Sequence, residues 1–142
     1  MRVGMAFLGL LALAGCATVV PRATPGQDQF YNRLRALCGQ SFEGRLVSRD
    51  EADAEMAAAR LFIQVRNCSD TEVRIPFHVG MDHGRVWTVS RTATGLRLRH
   101  EHHGRDGAML PPSGYGGETA GPGNPRRQEF PADQASRDLF IR

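Results

Sequence analysis

The sequence predicts a mainly β protein, an antiparallel meander that forms a small barrel or a sandwich and carries one short N-terminal amphipathic helix. Apolar and polar residues alternate along several stretches between residues 61 and 99, which is typical of strands with one buried face. Short runs of turn-forming residues separate these stretches, as they do in a chain of hairpins. A helical period is clear only before them, in residues 28–39.

The helix is predicted from the spacing of three apolar residues. Phe30, Leu34 and Leu37 follow one another at intervals of four and three residues, which places them along one side of a helix. The pattern predicts a short amphipathic helix that begins at Asp28, ends near Gly39 and lies over the domain.

The strands are predicted from a period of two. Pro76 interrupts one of them, and because proline has no amide to donate, that strand should lie at a sheet edge or contain a bulge. Weaker strands are expected at residues 41–48, 115–118 and 127–130, which gives about seven strands in all. The inward positions of the clearest strands are Leu61, Ile63, Val65, Val73, Ile75, Phe77, Val79, Leu96 and Leu98.

Polar segments between the strands predict the turns, at residues 67–70, 82–84, 92–95 and 106–107. Two segments do not fit the meander. Residues 49–59 are either one or two helical turns capped by Asp50 or a charged loop. Residues 110–125 contain four Pro and five Gly, so they should be irregular, and a loop of that length is either functional or poorly ordered.

The first sixteen residues have the layout of a secretory signal peptide. Arg2 precedes an apolar run at residues 3–14, and small residues lead to Cys16. The run is shorter than the roughly 20 residues that a spanning helix needs, although an N-terminal anchor or a buried helix is an alternative interpretation. The end of the run, Leu-Ala-Gly-Cys at residues 13–16, resembles the lipobox of bacterial lipoproteins.

The lipobox resemblance implies that Cys16 is lipidated and becomes the first residue of the mature protein. Residues 1–15 would then be the signal peptide, residues 16–27 a lipidated tether and residues 28–142 a single β-rich domain. Since Ala17 and not Asp follows the cysteine, the resemblance implies a lipid anchor in the outer membrane, facing the periplasm, if the source is Gram-negative. The predicted first partner of the chain is therefore a membrane.

Composition excludes some functions. The net charge of +3 falls to +2 without residues 1–15, since Arg2 is the one charged residue among them. The arginines alternate with acidic and apolar residues, so no nucleic-acid partner is expected. All eighteen basic residues are Arg, which excludes Schiff-base and lysine general-base mechanisms.

Two cysteines remain after lipidation, Cys38 and Cys68. An even pair in an exported protein favours a disulfide, while a pair of buried thiols or a catalytic cysteine is the alternative. Closing a loop of about 30 residues would stabilise the fold by roughly 3–4 kcal/mol.

The candidate ligand-binding residues are Trp87, His100 and His102. By parity the two histidines face inward on one strand, and two imidazoles at that spacing can chelate a metal if Asp106 or His83 supplies a third ligand. The favoured interpretation is a strand end where the inward face has reached solvent, so no metal is assigned. In a barrel these histidines would line its mouth.

Trp87 is expected on the same inward surface as Phe77 and Leu98. These three residues either line an apolar cavity or fill a solid core, and the solid core is the favoured interpretation. The glycines at residues 114–117 lack the rest of a phosphate-binding loop, and no serine lies in a nucleophile elbow. No catalytic residue, metal or cofactor is predicted.

Several short segments carry a second resemblance: Leu-Cys-Gly at residues 37–39, Asn-Cys-Ser-Asp-Thr-Glu at 67–72, Ile-Pro-Phe-His-Val-Gly at 75–80, Tyr-Gly-Gly at 115–117 and Gln-Glu-Phe-Pro-Ala-Asp at 128–133. Through these, most of residues 30–140 is similar to a group of small secreted bacterial proteins to which no activity is assigned. The resemblance implies a shared fold and a Cys38–Cys68 disulfide, and it transfers no catalytic residue.

The sequence therefore favours a non-catalytic envelope lipoprotein that binds an apolar small molecule or lipid, in a lipocalin- or calycin-like barrel or in a sandwich. The alternative is an interaction or structural module of the envelope that contacts another envelope protein through residues 110–125. A more distant alternative is a metal-dependent enzyme that uses His100 and His102.

Overall fold

The computed structural model describes residues 23–141, so Cys16, the predicted signal peptide and most of the predicted tether lie outside the described residues. No helix within residues 23–141 is long and apolar enough to span a membrane. The elements are α1 (Pro25–Arg35), β1 (Ser41–Gly44), a 3₁₀ turn (Glu51–Asp53), α2 (Ala54–Ala58), β2 (Leu61–Gln64), β3 (Glu72–Val79), β4 (Asp82–Arg91), β5 (Leu96–His102), β6 (Tyr115–Glu118) and α3 (Gln134–Phe140).

The six strands form one antiparallel sheet in the order in which they occur along the chain. The predicted antiparallel meander is confirmed. The sheet does not close on itself, so the prediction of a barrel is wrong. The outer edge of β6 is covered by the segment that leads into α3, where the Asp133 N–H donates to the Gly116 carbonyl. The seventh predicted strand, at residues 127–130, is absent, and a short turn closed by the Asn124–Arg127 bridge precedes that segment.

One face of the sheet, the inner face, carries the apolar side chains that the alternation predicts. α1 packs on it through Tyr31, which has no exposed surface. The core beneath this ring consists of Val65, Val73, Ile75, Val89 and Leu96. The opposite, outer face carries a ladder of ion pairs, among them Arg74–Glu101, Arg97–Glu118 and Arg99–Asp133.

The predicted helix is confirmed, but it begins three residues before Asp28 and ends at Arg35, four residues before Gly39. Thr24 is its N-cap and forms a capping box with Gln27, while Pro25 occupies the first turn. Because a Thr three residues before a Gln is a helix-start signature, the sequence did contain this signal. Residues 24–27, which fall in the predicted tether, therefore form the N-cap and start of α1.

The Cys38–Cys68 disulfide is confirmed, with an S–S distance of 2.03 Å. It joins the turn after α1 to the turn between β2 and β3. Gly39, which lies between α1 and β1, adopts a φ of +84°. Its N–H donates to the Val65 carbonyl, and the Val65 N–H donates to the Gln40 carbonyl. These bonds are those of a glycine bulge, which turns the chain from the helix into β1.

The turn between β3 and β4 differs from its prediction. It consists of Gly80 and Met81, because Val79 pairs directly with Asp82, and residues 82–84 belong to β4. Gly80, with a φ of +57°, supplies the left-handed conformation that a two-residue hairpin turn requires.

Pro76 lies in the third of six strands, so the edge position is wrong and the predicted irregularity is confirmed. The register between β3 and β4 shifts between Phe77 and Val79. On the other side, the pairing of β2 with β3 stops at Phe77 and resumes only at the Arg66–Arg74 bridge. The interruption falls where proline has no N–H to donate.

The two segments outside the meander are both attached to it. Residues 51–58 are helical turns, and Asp50 accepts a hydrogen bond from the Ala52 N–H as the predicted cap. Residues 110–125 contain β6, and their second half packs on α1, where the Gln27 side chain donates to the Gly121 carbonyl.

Candidate functional site

α1 covers only part of the inner face, the end next to the turns at residues 67–70 and 92–95. Toward the other end, five rings cross the sheet from β3 to α3, and we call them the aromatic row. The ring centroids of Phe77 and Trp87 are 5.3 Å apart, those of His100 and Tyr115 are 4.7 Å apart, and those of Tyr115 and Phe140 are 5.1 Å apart.

The sheet register aligns the row. Trp87 of β4 lies directly opposite His100 of β5, which in turn lies opposite Tyr115 of β6. Trp87 keeps 37% of its surface exposed and Phe140 keeps 59%. Partly exposed aromatic rings that cluster on one face of a domain are typical of binding sites.

An apolar groove of about 360 Å³ adjoins the row at the β1 side of the sheet. It is lined by Phe42 and Leu46 from the β1 region, by Leu61 and Ile63 of β2 and by Met56 of α2. Phe42 is 39% exposed. The groove therefore extends the apolar surface across all six strands.

His100 is the polar member of the row. Its side chain is 7% exposed, and Nδ1 is buried without a hydrogen-bond partner among residues 23–141. Burial lowers the pKa of His100, and the nearby charges of Arg85 and His102 lower it further, against Glu101 and Asp82. The imidazole is thus favoured in its neutral form, so the row presents no fixed charge to an apolar ligand.

A charged group borders the row on the same face. Asp82 accepts hydrogen bonds from the Arg85 Nε–H, at 2.7 Å, and from the Gly84 N–H, at 3.0 Å. Burial would raise the pKa of Asp82, but the Gly84 and Arg85 hydrogen bonds and the His102 charge hold it below its ordinary value. His102 Nε2 lies 3.1 Å from Asp82 Oδ2, so the His102 imidazole contacts the Asp82 carboxylate.

The proposed metal ligands do not converge. His83 lies on the outer face, with its ring 4.6 Å from that of His78. Asp106 accepts a hydrogen bond from the Ala108 N–H within its own turn. Within the described part of the chain, no three His, Cys, Asp or Glu side chains are placed to hold a metal ion.

The structure brings two of the three predicted ligand-binding residues, Trp87 and His100, together in the row and places His102 at its border. Sequence reasoning missed Tyr115 and Phe140. For Tyr115 a weak strand was predicted, and its parity would have placed the ring inward. Phe140 depends on α3, whose start is marked by Asp133, a helix cap that accepts the Ser136 N–H and that the prediction overlooked.

Comparison of the chain with protein-family models, with curated proteins and with solved structures found no match.

The burial of His100 predicts a pH-dependent stability. Because its pKa is lowered in the folded state, the unfolded chain binds more protons once the pH falls below 6.5, the ordinary value. The free energy of unfolding should be constant with respect to this group above that pH and should decrease as the pH falls from it. The His100→Gln variant should show a shallower decrease in denaturant unfolding experiments down to about pH 5. Parallel curves for the two proteins would contradict the neutral, buried state of His100.

Proposed function

We propose that this chain is a non-catalytic lipoprotein of the bacterial cell envelope, and that its domain binds an apolar small molecule or lipid on the aromatic row. In this proposal Cys16 carries the lipid anchor, and the anchor sits in the outer membrane with the domain on the periplasmic side. One observation carries the binding function: two groups of packed rings lie side by side on one face of the sheet, because the register sets Trp87 opposite His100. The first group is Phe77 and Trp87, and the second is His100, Tyr115 and Phe140.

The row suits an apolar ligand because the sheet beneath it fixes the backbone of its strand residues. Each strand residue of the row is fixed by its position in the sheet, so little conformational entropy is lost when a ligand packs on it. Covering exposed apolar surface stabilises a complex by about 25 cal/mol per Å². The neutral state of His100 supports the same function, since no charge would have to be desolvated.

The attachment of α1 supports a short tether. The Thr24 hydroxyl donates to the Pro122 carbonyl, 3.0 Å away, so the domain holds the chain from this residue onward. Seven residues separate Cys16 from Thr24, and the eight residue steps between them span at most about 26–29 Å when fully extended. An acylated Cys16 would therefore keep the domain near a membrane surface, where lipids are plentiful.

An interaction module of the envelope is the second candidate. It is favoured by the openness of the row, because an uncovered sheet face can receive a protein side chain as well as a lipid. Residues 110–125, the contact predicted for this alternative, begin with Leu110, which is 38% exposed, and Met109 just before them is 56% exposed.

Binding of the apolar fluorophore N-phenyl-1-naphthylamine to the full chain tests the proposal. Tyr115→Ala should weaken binding about tenfold, because loss of a ring contact worth about 1.4 kcal/mol has that effect. Trp87→Ala should act similarly. The matched control is Leu37→Ala, since Leu37 has the same 37% exposure as Trp87 but follows α1, and it should bind like the wild type.

Palmitate should displace the fluorophore from the wild type. Equal affinity in all four proteins would refute the row as the binding site. Absence of binding, together with one dominant protein crosslinked to the row in cells, would support the interaction module. The anchor is tested separately, since an alkyne-bearing palmitate should label the wild type and leave Cys16→Ser unlabelled.

A further inference from the structure

The two edges of the sheet differ in how they are protected. At β6 the Ser136 hydroxyl donates to the Gly116 carbonyl and accepts from the Gly116 N–H, and Asp133 pairs beside it. At β1 all four residues are exposed. A Cβ built on Gly44 meets no atom within 4 Å. Within the part of the chain that the structure describes, no strand pairs with the outer edge of β1. This edge can therefore accept another strand.

The hydrogen-bonding register between β1 and β2 determines which backbone groups of β1 are not bonded to β2. The Val65 N–H donates to the Gln40 carbonyl, and from there Phe42 pairs with Ile63 and Gly44 with Leu61. Because the direction of backbone groups alternates along a strand, even-numbered residues bond to β2. The odd-numbered residues Ser41 and Glu43 therefore direct their N–H and C=O groups away from the sheet.

We propose that β1 pairs with β1 of a second copy of this chain, antiparallel and with the twofold axis at Gly44. In this register Glu43 forms a hydrogen-bonded pair with Arg45 of the second copy, so the odd-numbered backbone groups are satisfied. Phe42 then lies opposite Leu46 of the second copy. The proposed pairing requires Arg45 and Leu46 to extend β1 by two residues beyond Gly44.

Side-chain complementarity selects this register. On the outer face it places a carboxylate against a guanidinium twice, by symmetry, and opposite charges across strands are favourable. On the inner face it places the exposed ring of Phe42 against Leu46, and these residues already line one groove. A twofold axis at Phe42 would instead set Glu43 against Ser41 and bring the Gly39 bulge opposite Arg45.

The pairing also joins the two inner faces, because an antiparallel twofold through an edge keeps equivalent faces on one side. The apolar grooves of the two copies would then meet across the axis. This pairing depends on the β1 edge alone and does not require the aromatic row to bind a lipid.

Oxidative crosslinking of the full chain tests the register, with Cys16→Ser in every variant. Directly opposed residues in a pair without hydrogen bonds have Cα atoms about 4.5 Å apart, within disulfide range. Gly44→Cys should therefore give a covalent dimer on oxidation. In the control Phe42→Cys the two thiols would be displaced by four residues, about 13 Å, and no dimer should form.

Equal crosslinking of Phe42→Cys and Gly44→Cys, or none above the Cys16→Ser background for either, would overturn the proposal. A second test measures the dimerisation constant of charge variants by analytical ultracentrifugation. It needs no added cysteine. Arg45→Glu sets Glu43 against a second carboxylate and should weaken dimerisation about tenfold, and Glu43→Arg combined with Arg45→Glu should restore it. The double variant also loses the Glu43–Arg60 pair, but exposed pairs of this kind contribute little. A double variant as weak as the single one would refute the charge pairing.

Discussion

Tyr31→Ala is expected to lower the free energy of unfolding by about 3–5 kcal/mol, the usual cost of removing a buried aromatic ring. Tyr31 has no exposed surface and is the residue through which α1 packs on Val65, Val73 and Leu96. The Arg91 guanidinium also lies over its ring, 4.3 Å from the centroid. Urea unfolding of the full chain measures the effect.

Tyr31→Phe is the matched control. The Tyr31 hydroxyl donates to the Ser69 carbonyl over 3.3 Å, so this variant should lose only about 0.5–1.5 kcal/mol. A Tyr31→Ala protein that unfolds within 1 kcal/mol of the wild type, a threshold well below the usual cost of such a cavity, would contradict the packing of α1 described above.

Removing the Cys38–Cys68 disulfide should cost about 3–4 kcal/mol, because the bond closes a loop of about 30 residues in the unfolded chain. Its sequence separation is 30. The double variant Cys38→Ala, Cys68→Ala should therefore unfold at clearly lower urea concentration than the wild type. The bond holds the end of α1 against the β2–β3 turn, so the helix and the sheet should still unfold together.

A reducing agent distinguishes loss of the bond from loss of the side chains. It should shift the wild type toward the double variant and leave the double variant unchanged. If the wild type unfolds at the same urea concentration with and without the reductant, and the two cysteines are shown to be reduced, the stabilising role of the bond is refuted.

Most of the sheet could be predicted because its strands are amphipathic. Val73 and Ile75 alternate with polar residues and are buried as expected, and the Thr92–Gly95 turn closes the β4–β5 hairpin through a hydrogen bond. The position of the β3–β4 turn could not be predicted in the same way. Asp82 and Gly84 belong to residue types that are common in turns, but the chain reverses earlier, in a two-residue turn formed by Gly80 and Met81.

The barrel could not be excluded from local patterns, because closure depends on whether the first and last strands can meet. β1 and β6 have four residues each, and α3 with the segment before it occupies the edge of β6. The candidate site was predicted in part for the same reason. Parity placed Trp87 and His100 on one face, whereas the contribution of Phe140 arises from the packing of α3 on β6.

The emission of Trp87 tests the central claim most directly, since Trp87 is the single tryptophan of the chain and belongs to the aromatic row. Titration of the full chain with palmitate should move its emission maximum to shorter wavelength and reach saturation, because a bound acyl chain excludes water from the indole. An emission maximum that stays unchanged while palmitate binds elsewhere, or that never saturates, would contradict an apolar binding site on this face.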